Sequence, residues 1–307
     1  MARCFYTILL LFSGFVLHAQ SPAQPYILVL GIAQDGGYPH IGCQHQCCNR
    51  AWASDSLKRS VVSLALVDPV TKKWWLFEAT PDIRDQLHSF QCLTHGAYNF
   101  VPEGIFVTHA HIGHYAGLMQ LGKEAMSAHE VPVYALPRMS AFLETNGPWS
   151  QLVILHNIAL RPLQADTAVA LTDKISVTAF TVPHRDEYSE TAGFRIMTGS
   201  KKYLFIPDIN KWNLWDRNIT NEVKKVDVAF VDATFYAEGE LPGRNLASVP
   251  HPFVTETMEL FKNEAPETKA KVYLIHFNHS NPMLWDRSKQ NEVKKQGFHV
   301  CIQGEKI

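Results

Sequence analysis

Nine short apolar, β-branched runs recur along this chain, each bounded by polar or turn residues: YILVLG, VVSLALVD, WWLFEA, GIFVTHA, ISVTAFTV, GFRIMT, KYLFIPD, VDVAFVDA and KVYLIHF. Each has the length and composition of a strand. Helical patterns lie between some of them, in PDIRDQLHSFQC, HYAGLMQLGKEAM, RMSAFLETNG and HPFVTETMELFKNEA. Strands arriving singly or in pairs, with helices interleaved, bury their apolar faces as sheets covered by helices, in the α/β or α+β class. No repeat, low-complexity run or Gly/Pro/Ser-rich linker interrupts this order. One domain is expected from Gln24 to Ile307.

Composition narrows the function classes. The chain is 46% hydrophobic and 19% charged, with a net charge of −1 and no stripe of Lys or Arg. That is ordinary globular chemistry and argues against a nucleic-acid or other polyanion partner. Residues 1–20 read differently. Arg3 makes a short basic start, and Cys4 to Leu17 is almost wholly apolar, ending near Ala19. The run is too short to span a bilayer with ease, so a secretory signal peptide is expected, with a periplasmic or secreted product. No later segment is long and apolar enough to cross a membrane. Cleavage would leave Cys43, Cys47, Cys48, Cys92 and Cys301, an odd number, so at least one thiol is unpaired or bound to metal.

The strand ends carry the chemistry. His109 follows GIFVT, His184 follows ISVTAFTVP, Asp208 follows KYLFIP and His276 ends KVYLI. Four separate strands thus end in residues able to bind metal, on loops that a rigid sheet would hold. Val107 to Gly117, VTHAHIGHYAG, adds two more histidines. His109 and His111 fall on one side of an extended segment, and His114 falls in the first turn of the helix that follows. Three imidazoles suit Zn²⁺.

These stretches resemble the metallo-β-lactamase fold superfamily. Its signature is Thr-His-x-His-x-Asp-His, followed by a His, an Asp and a last His at later strand ends. Thr108 to His114 matches it except at Gly113, where the carboxylate is missing. VPHRDEYSETAGF, YLFIPDI and YLIHFNHSNP are similar to the later motifs, at His184, Asp208 and His276. Within the superfamily the likeness is closest to pyrroloquinoline quinone (PQQ) biosynthesis protein B and its cyclic-phosphodiesterase relatives. LGIAQDGGYPHIGCQHQCC, VDATFY and HFNHSNP carry it. The resemblance implies an α+β fold, a four-layer αββα sandwich with metals at one edge. It also implies a structural metal at Cys43, Cys47 and Cys48, with His40 or His45 as a further ligand. Disulfides or free thiols are the alternatives for an exported protein.

By the same resemblance, His109, His111 and His184 hold a first metal, Zn²⁺. His114, Asp208 and His276 hold a second, with Asp208 bridging both. Two histidines and a carboxylate also match the ligands of non-haem iron, so iron is the alternative at the second site. Gly113 leaves that site one carboxylate short, and an anionic substrate, Asp186 or Glu187 could make up the difference. Gly113→Asp is then expected to tighten the second ion. His251 is the candidate proton donor and Asp208 the other catalytic residue. Asn278, His279 and Asp232 could support the ligands, and Tyr115 and Trp212 could face substrate or core.

The expected activity is that of a metal-dependent hydrolase, which uses a metal-bound hydroxide on a small ester, phosphodiester or amide. A non-haem iron oxidase or hydroxylase of the PQQ-protein kind is the alternative, and a non-catalytic metal-binding protein the second alternative. Fold alone does not choose among them.

Overall fold

Successive residues of a strand face opposite sides of its sheet, and in the central strands of this chain both sides are buried. The computed structural model describes residues 24–241 and 250–307. The expected signal peptide at residues 1–20 lies outside them. The strands are β1 (Tyr26–Gly31), β2 (Ser63–Asp68), β3 (Lys73–Phe77), β4 (Ile105–Phe106), β5 (Val131–Ala135), β6 (Ile158–Pro162), β7 (Ala168–Ala170), β8 (Ser176–Val182), β9 (Thr191–Met197), β10 (Lys202–Ile206), β11 (Val228–Asp232), β12 (Val272–Ile275) and β13 (His299–Val300). They form a six-stranded sheet, β1-β2-β3-β4-β5-β6, and a seven-stranded sheet, β13-β12-β11-β10-β9-β8-β7.

Alternation assigns the two faces of the first sheet. Ile27, Val29, Leu64, Leu66, Trp75 and Phe77 belong to the core between the sheets. Their neighbours Leu28, Leu30, Ala65, Val67, Trp74 and Leu76 belong to a second core beneath the helix Ile83–Leu93. Trp74 stacks on Phe90 of that helix at 3.8 Å. Burial on both faces explains why these strands read as unbroken apolar runs. Between the sheets, Phe77 stacks on Phe106 at 4.8 Å and meets Phe194 edge-on at 5.4 Å. Helices at Ile219–Lys224, Val254–Leu260 and Arg287–Lys295 cover the second sheet, and their Val223, Met258 and Val293 join the same continuous apolar cluster. The layers run helix, sheet, sheet, helix, as the resemblance implied.

Strand direction places the site. β3 to β6 run parallel, as do β10 to β13. Glu78, Thr108, Asp208, Asp232 and His276 follow or end the parallel strands β3, β4, β10, β11 and β12, at their carboxyl ends. There the sheets are tied together by backbone. The Gln34 N–H donates to the Phe277 carbonyl at 2.8 Å, and the Phe277 N–H donates to the Ile32 carbonyl at 2.8 Å. Among the described residues, no helix is long and apolar enough to cross a membrane.

Candidate metal centre

Asp208 lies at the middle of the site, 1% exposed at the end of β10. Its Oδ2 is 3.3 Å from His109 Nε2, 3.2 Å from His184 Nε2, 3.5 Å from His114 Nε2 and 4.0 Å from His111 Nδ1. His109 Nε2 and His111 Nδ1 are 2.7 Å apart. Ligand atoms around a tetrahedral zinc, each about 2.0–2.1 Å from the ion, lie about 3.3 Å from one another. His109, His111, His184 and Asp208 therefore offer one donor atom each at close to the spacing a zinc needs.

A second group shares the space beside it. Asp35, His114 and His276 turn donor atoms toward one another, with Asp35 Oδ1 3.2 Å from His114 Nε2 and 3.9 Å from His276 Nε2. These three atoms are buried and have no hydrogen-bond partner. Leaving a buried polar atom unsatisfied costs about 1–3 kcal/mol. A shared cation would satisfy all three at once, so the donor set fits a metal. Asp35 is the member of this group that sequence reading missed. It sits in the loop after β1, and AQDGG carries no signal beyond an acid between small residues.

Buried partners hold the imidazoles in place. Thr108 Oγ1 is 2.8 Å from His109 Nδ1, which leaves His109 Nε2 for the centre. The Thr234 hydroxyl donates to Asp232 Oδ1 at 2.7 Å, so its oxygen accepts from His276 Nδ1 at 2.8 Å. His276 Nε2 is thereby turned toward the centre. Glu78 Oε1 faces His114 Nδ1 at 3.3 Å, and both side chains are wholly buried. Glu78 and His276 adopt φ of 75° and 67°. Such left-handed backbone is strained for residues with side chains and is kept where surroundings fix it. Glu78, like Asp35, was not among the expected site residues.

Charges follow this packing. Burial opposes ionisation of Asp208, but His184, His251, His276 and His109 outweigh it and hold the carboxyl well below its usual range. Asp35 is likewise held down, by His114 and His276 against its burial. Burial and the neighbouring His114 keep His109 neutral, which is the form that binds metal.

His251 belongs to the same cluster. It is 7% exposed, just before the helix Val254–Leu260. Its Nδ1 is 2.9 Å from Asp232 Oδ2 and 3.1 Å from Asp208 Oδ1. Burial lowers its pKa, but these two carboxylates prevail and raise it to about 10.

The remaining expected residues divide. Asp232 contacts His251 and, at 3.8 Å, His276. Asp186 turns outward to Arg138, whereas Glu187 reaches 3.5 Å from His111 Nε2. Tyr115 and Trp212 are buried in the cores, with the Trp212 indole N–H on Thr257. Asn278 bonds to Ser280 rather than to a ligand. His279 joins Cys43 and Cys48 in a separate group able to hold a metal, while its ring Nδ1 is buried without a partner. His40 stacks on His279 at 4.5 Å. Among the described residues all five cysteines are free, with no disulfide.

The space around Gly113 stands against the expected effect of an Asp there. A Cβ built there meets Asp35 Oδ1 at 2.1 Å and Asp35 Cα at 2.6 Å. The position lacks space for an added carboxylate, because Asp35 already fills it.

Residues 73–277 match the family model of the Beta-lactamase superfamily domain. The chain belongs to this family. It is 24% identical to Coenzyme PQQ synthesis protein B of Methylobacterium sp. (strain 4-46), across 90% of this chain and 97% of that one. It is 26% identical to the protein of that name from Gluconobacter oxydans (strain 621H), across 91% and 96%. Among solved structures, Zn(2+)-bound PqqB from Methylobacterium extorquens superposes with a TM-score of 0.73 at 21% identity, covering 92% of this chain and 99% of that one. A diphosphatase from the PhnP family gives a TM-score of 0.66 at 19% identity, covering 93% and 97%. The fold is thus of the metallo-β-lactamase type.

Proposed function

We propose that this protein is an exported metal-dependent hydrolase that cleaves a small ester, phosphodiester or amide. The observation that carries this reading is the pair of donor groups meeting at Asp208, one of three histidines and one of Asp35, His114 and His276. His109, His111, His184 and Asp208 would hold one ion, and His114, His276, Asp208 and Asp35 a second. Bound there, divalent ions supply a water of lowered pKa and positive charge for developing oxyanions.

The chain's own residues do the rest. Asp208 balances the charge of both groups from the middle. Asp232 and Thr234 fix the rings of His251 and His276 through their Nδ1 atoms. His251 is held protonated by Asp232 and Asp208 at its Nδ1, and its other ring nitrogen would give a proton to a leaving group. Arg185 is exposed beside His111, with Nη2 3.5 Å from Nε2, and would draw an anionic substrate there, offset in part by Glu187 at the same distance. Export is proposed from the apolar run of Cys4 to Leu17.

A second reading has its own support. The relatives named for PQQ synthesis align along nine-tenths of this chain, and two histidines with a carboxylate suit non-haem iron. Under that reading the protein is an iron-dependent oxidase or hydroxylase. Metal analysis decides between them. A chain purified with zinc that hydrolyses bis(p-nitrophenyl) phosphate, and loses both metal and activity in His111→Ala, supports the hydrolase. Iron at the second group, with no hydrolysis of phosphodiesters, esters or amides, favours the oxidase.

A further inference from the structure

We infer that Asp35 is the carboxylate ligand of the second metal, and that it stands in the space left by the glycine at position 113. The inference deepens the two-ion reading above and rests on it.

Three observations converge. The first is where a side chain at position 113 would go. Its Cβ would fall 2.1 Å from Asp35 Oδ1 and 2.8 Å from Asp35 Cγ. The carboxylate of Asp35 thus occupies the volume into which an acid in the motif would project. The second is chemical. Asp35 Oδ1, His114 Nε2 and His276 Nε2 are buried, lack hydrogen-bond partners and face one another at 3.2 and 3.9 Å.

The third is mechanical. Asp35 is in a loop, but the loop is fastened at the site. Gln34 N–H bonds to the Phe277 carbonyl, next to His276, and Gly37 N–H bonds back to the Gln34 carbonyl at 2.7 Å. Ala33 bridges both Val61 and Phe277. Asp35 is therefore positioned by the same backbone contacts that position His276. Its charge also cancels one unit of the repulsion between two divalent ions, which the loss of an acid at position 113 would have left in place.

The two positions then act as one unit. Removing the Asp35 carboxylate and adding a methyl group at Gly113 should do the same damage, although Gly113→Ala alters no ligand. The test is Zn²⁺ titration of metal-free Asp35→Asn, Gly113→Ala and the double variant by calorimetry. Co²⁺ absorption separates binding to thiolates from binding to imidazoles, and His111→Ala marks the first-group step. Each single variant should weaken the second step at least tenfold and move the first less than twofold. The double variant should be no worse than the worse single one, since residues in contact that share one interaction are not additive.

An unchanged second step in folded Asp35→Asn overturns the inference, as does additive damage in the double variant. So does wild-type protein that fills the first group and never the second. Failure of the underlying reading shows itself differently, as metal retained in full by His111→Ala. A first step that stays intact in each variant certifies the fold.

Discussion

The two donor groups that meet at Asp208 are built in different ways. His109, His111 and His184 come from two loops that directly follow strands β4 and β8, and His109 and His111 alternate along one extended segment. Every residue is where the local pattern puts it. The second group draws Asp35, His114 and His276 from three distant segments, and backbone bonds that cross between the sheets join those of Asp35 and His276. The comparison shows what a motif encodes. A site needs a charge at a point in space, and any loop anchored beside that point can deliver it. A glycine in the motif is therefore no proof of a missing ligand.

The largest expected effect breaks the first group. His111→Ala removes one of the three imidazole donors of the first group, so its Zn²⁺ affinity should fall by more than the 10–100-fold typical of partners that only orient a ligand. Plasma emission analysis of dialysed protein measures it. Full occupancy in the variant would mean the group holds no ion. His251→Gln comes next and separates chemistry from binding. Metal content should stay, while kcat on an activated phosphodiester should fall by about 10²–10⁴-fold, the usual weight of a proton donor. A loss of metal with kcat per bound ion unchanged would instead make His251 a ligand.

Much of this was legible in the chain. The apolar runs became strands, and the doubly buried ones lost their alternation for the reason the layering gives. His109, His111, His114, His184, Asp208, His251 and His276 were all named from the sequence, and the structure gathers them within one cluster. Asp35 and Glu78 were not legible. Each is an acid that the fold places beside a histidine of the motif, and nothing in its own neighbourhood marks it. Their roles depend on strand pairing and on the crossing at Phe277, which are non-local. His279 shows the converse: its closeness to His276 suggested a role in the main centre, yet its side chain turns to Cys43 and Cys48.

A smaller effect sharpens the comparison through pH. In metal-free protein the surrounding carboxylates, against burial, raise His251 to about 10 and also lift His114 and His276 above the 6.5 of the free side chain. A raised pKa means the folded state holds the proton more tightly, so the stabilisation is complete below about pH 6.5 and is lost as pH rises toward 10. Asp208 and Asp35 behave in the opposite sense. Their carboxyls are held low, so their contribution is present above about pH 4 and is lost on acidification. Metal-free protein should therefore lose Tm on both sides of neutrality. Zinc requires neutral imidazoles and ionised carboxylates, so bound metal should flatten the alkaline fall and steepen the acid one. Thermal melts from pH 4 to 10, with and without zinc, measure both slopes. An alkaline slope unchanged in metal-free His251→Gln would assign it to another group.

The smallest effect concerns the thiol cluster. Cys43 and Cys48 lie on the segment that continues from Asp35, and His279 on the segment that continues from His276. A metal at Cys43, Cys48 and His279 would clip together the two segments that supply the second group, at a point away from the first. Losing that clip adds freedom to the Asp35 loop, whereas His109, His111 and His184 keep their own strands. Cys48→Ser should therefore weaken Zn²⁺ at the second group by a few-fold and leave the first unchanged, since the loop still has its bonds to Phe277. The effect should be smaller than that of Asp35→Asn, because a positioning contact is lost rather than a ligand. Titration followed by Co²⁺ absorption reads the two groups in one experiment, once the thiolate band has confirmed that the cluster no longer binds. Equal weakening of both groups would show that Cys48→Ser loosens the whole edge of the sandwich. No weakening of either would show that the backbone crossing at Phe277 alone holds Asp35 in place.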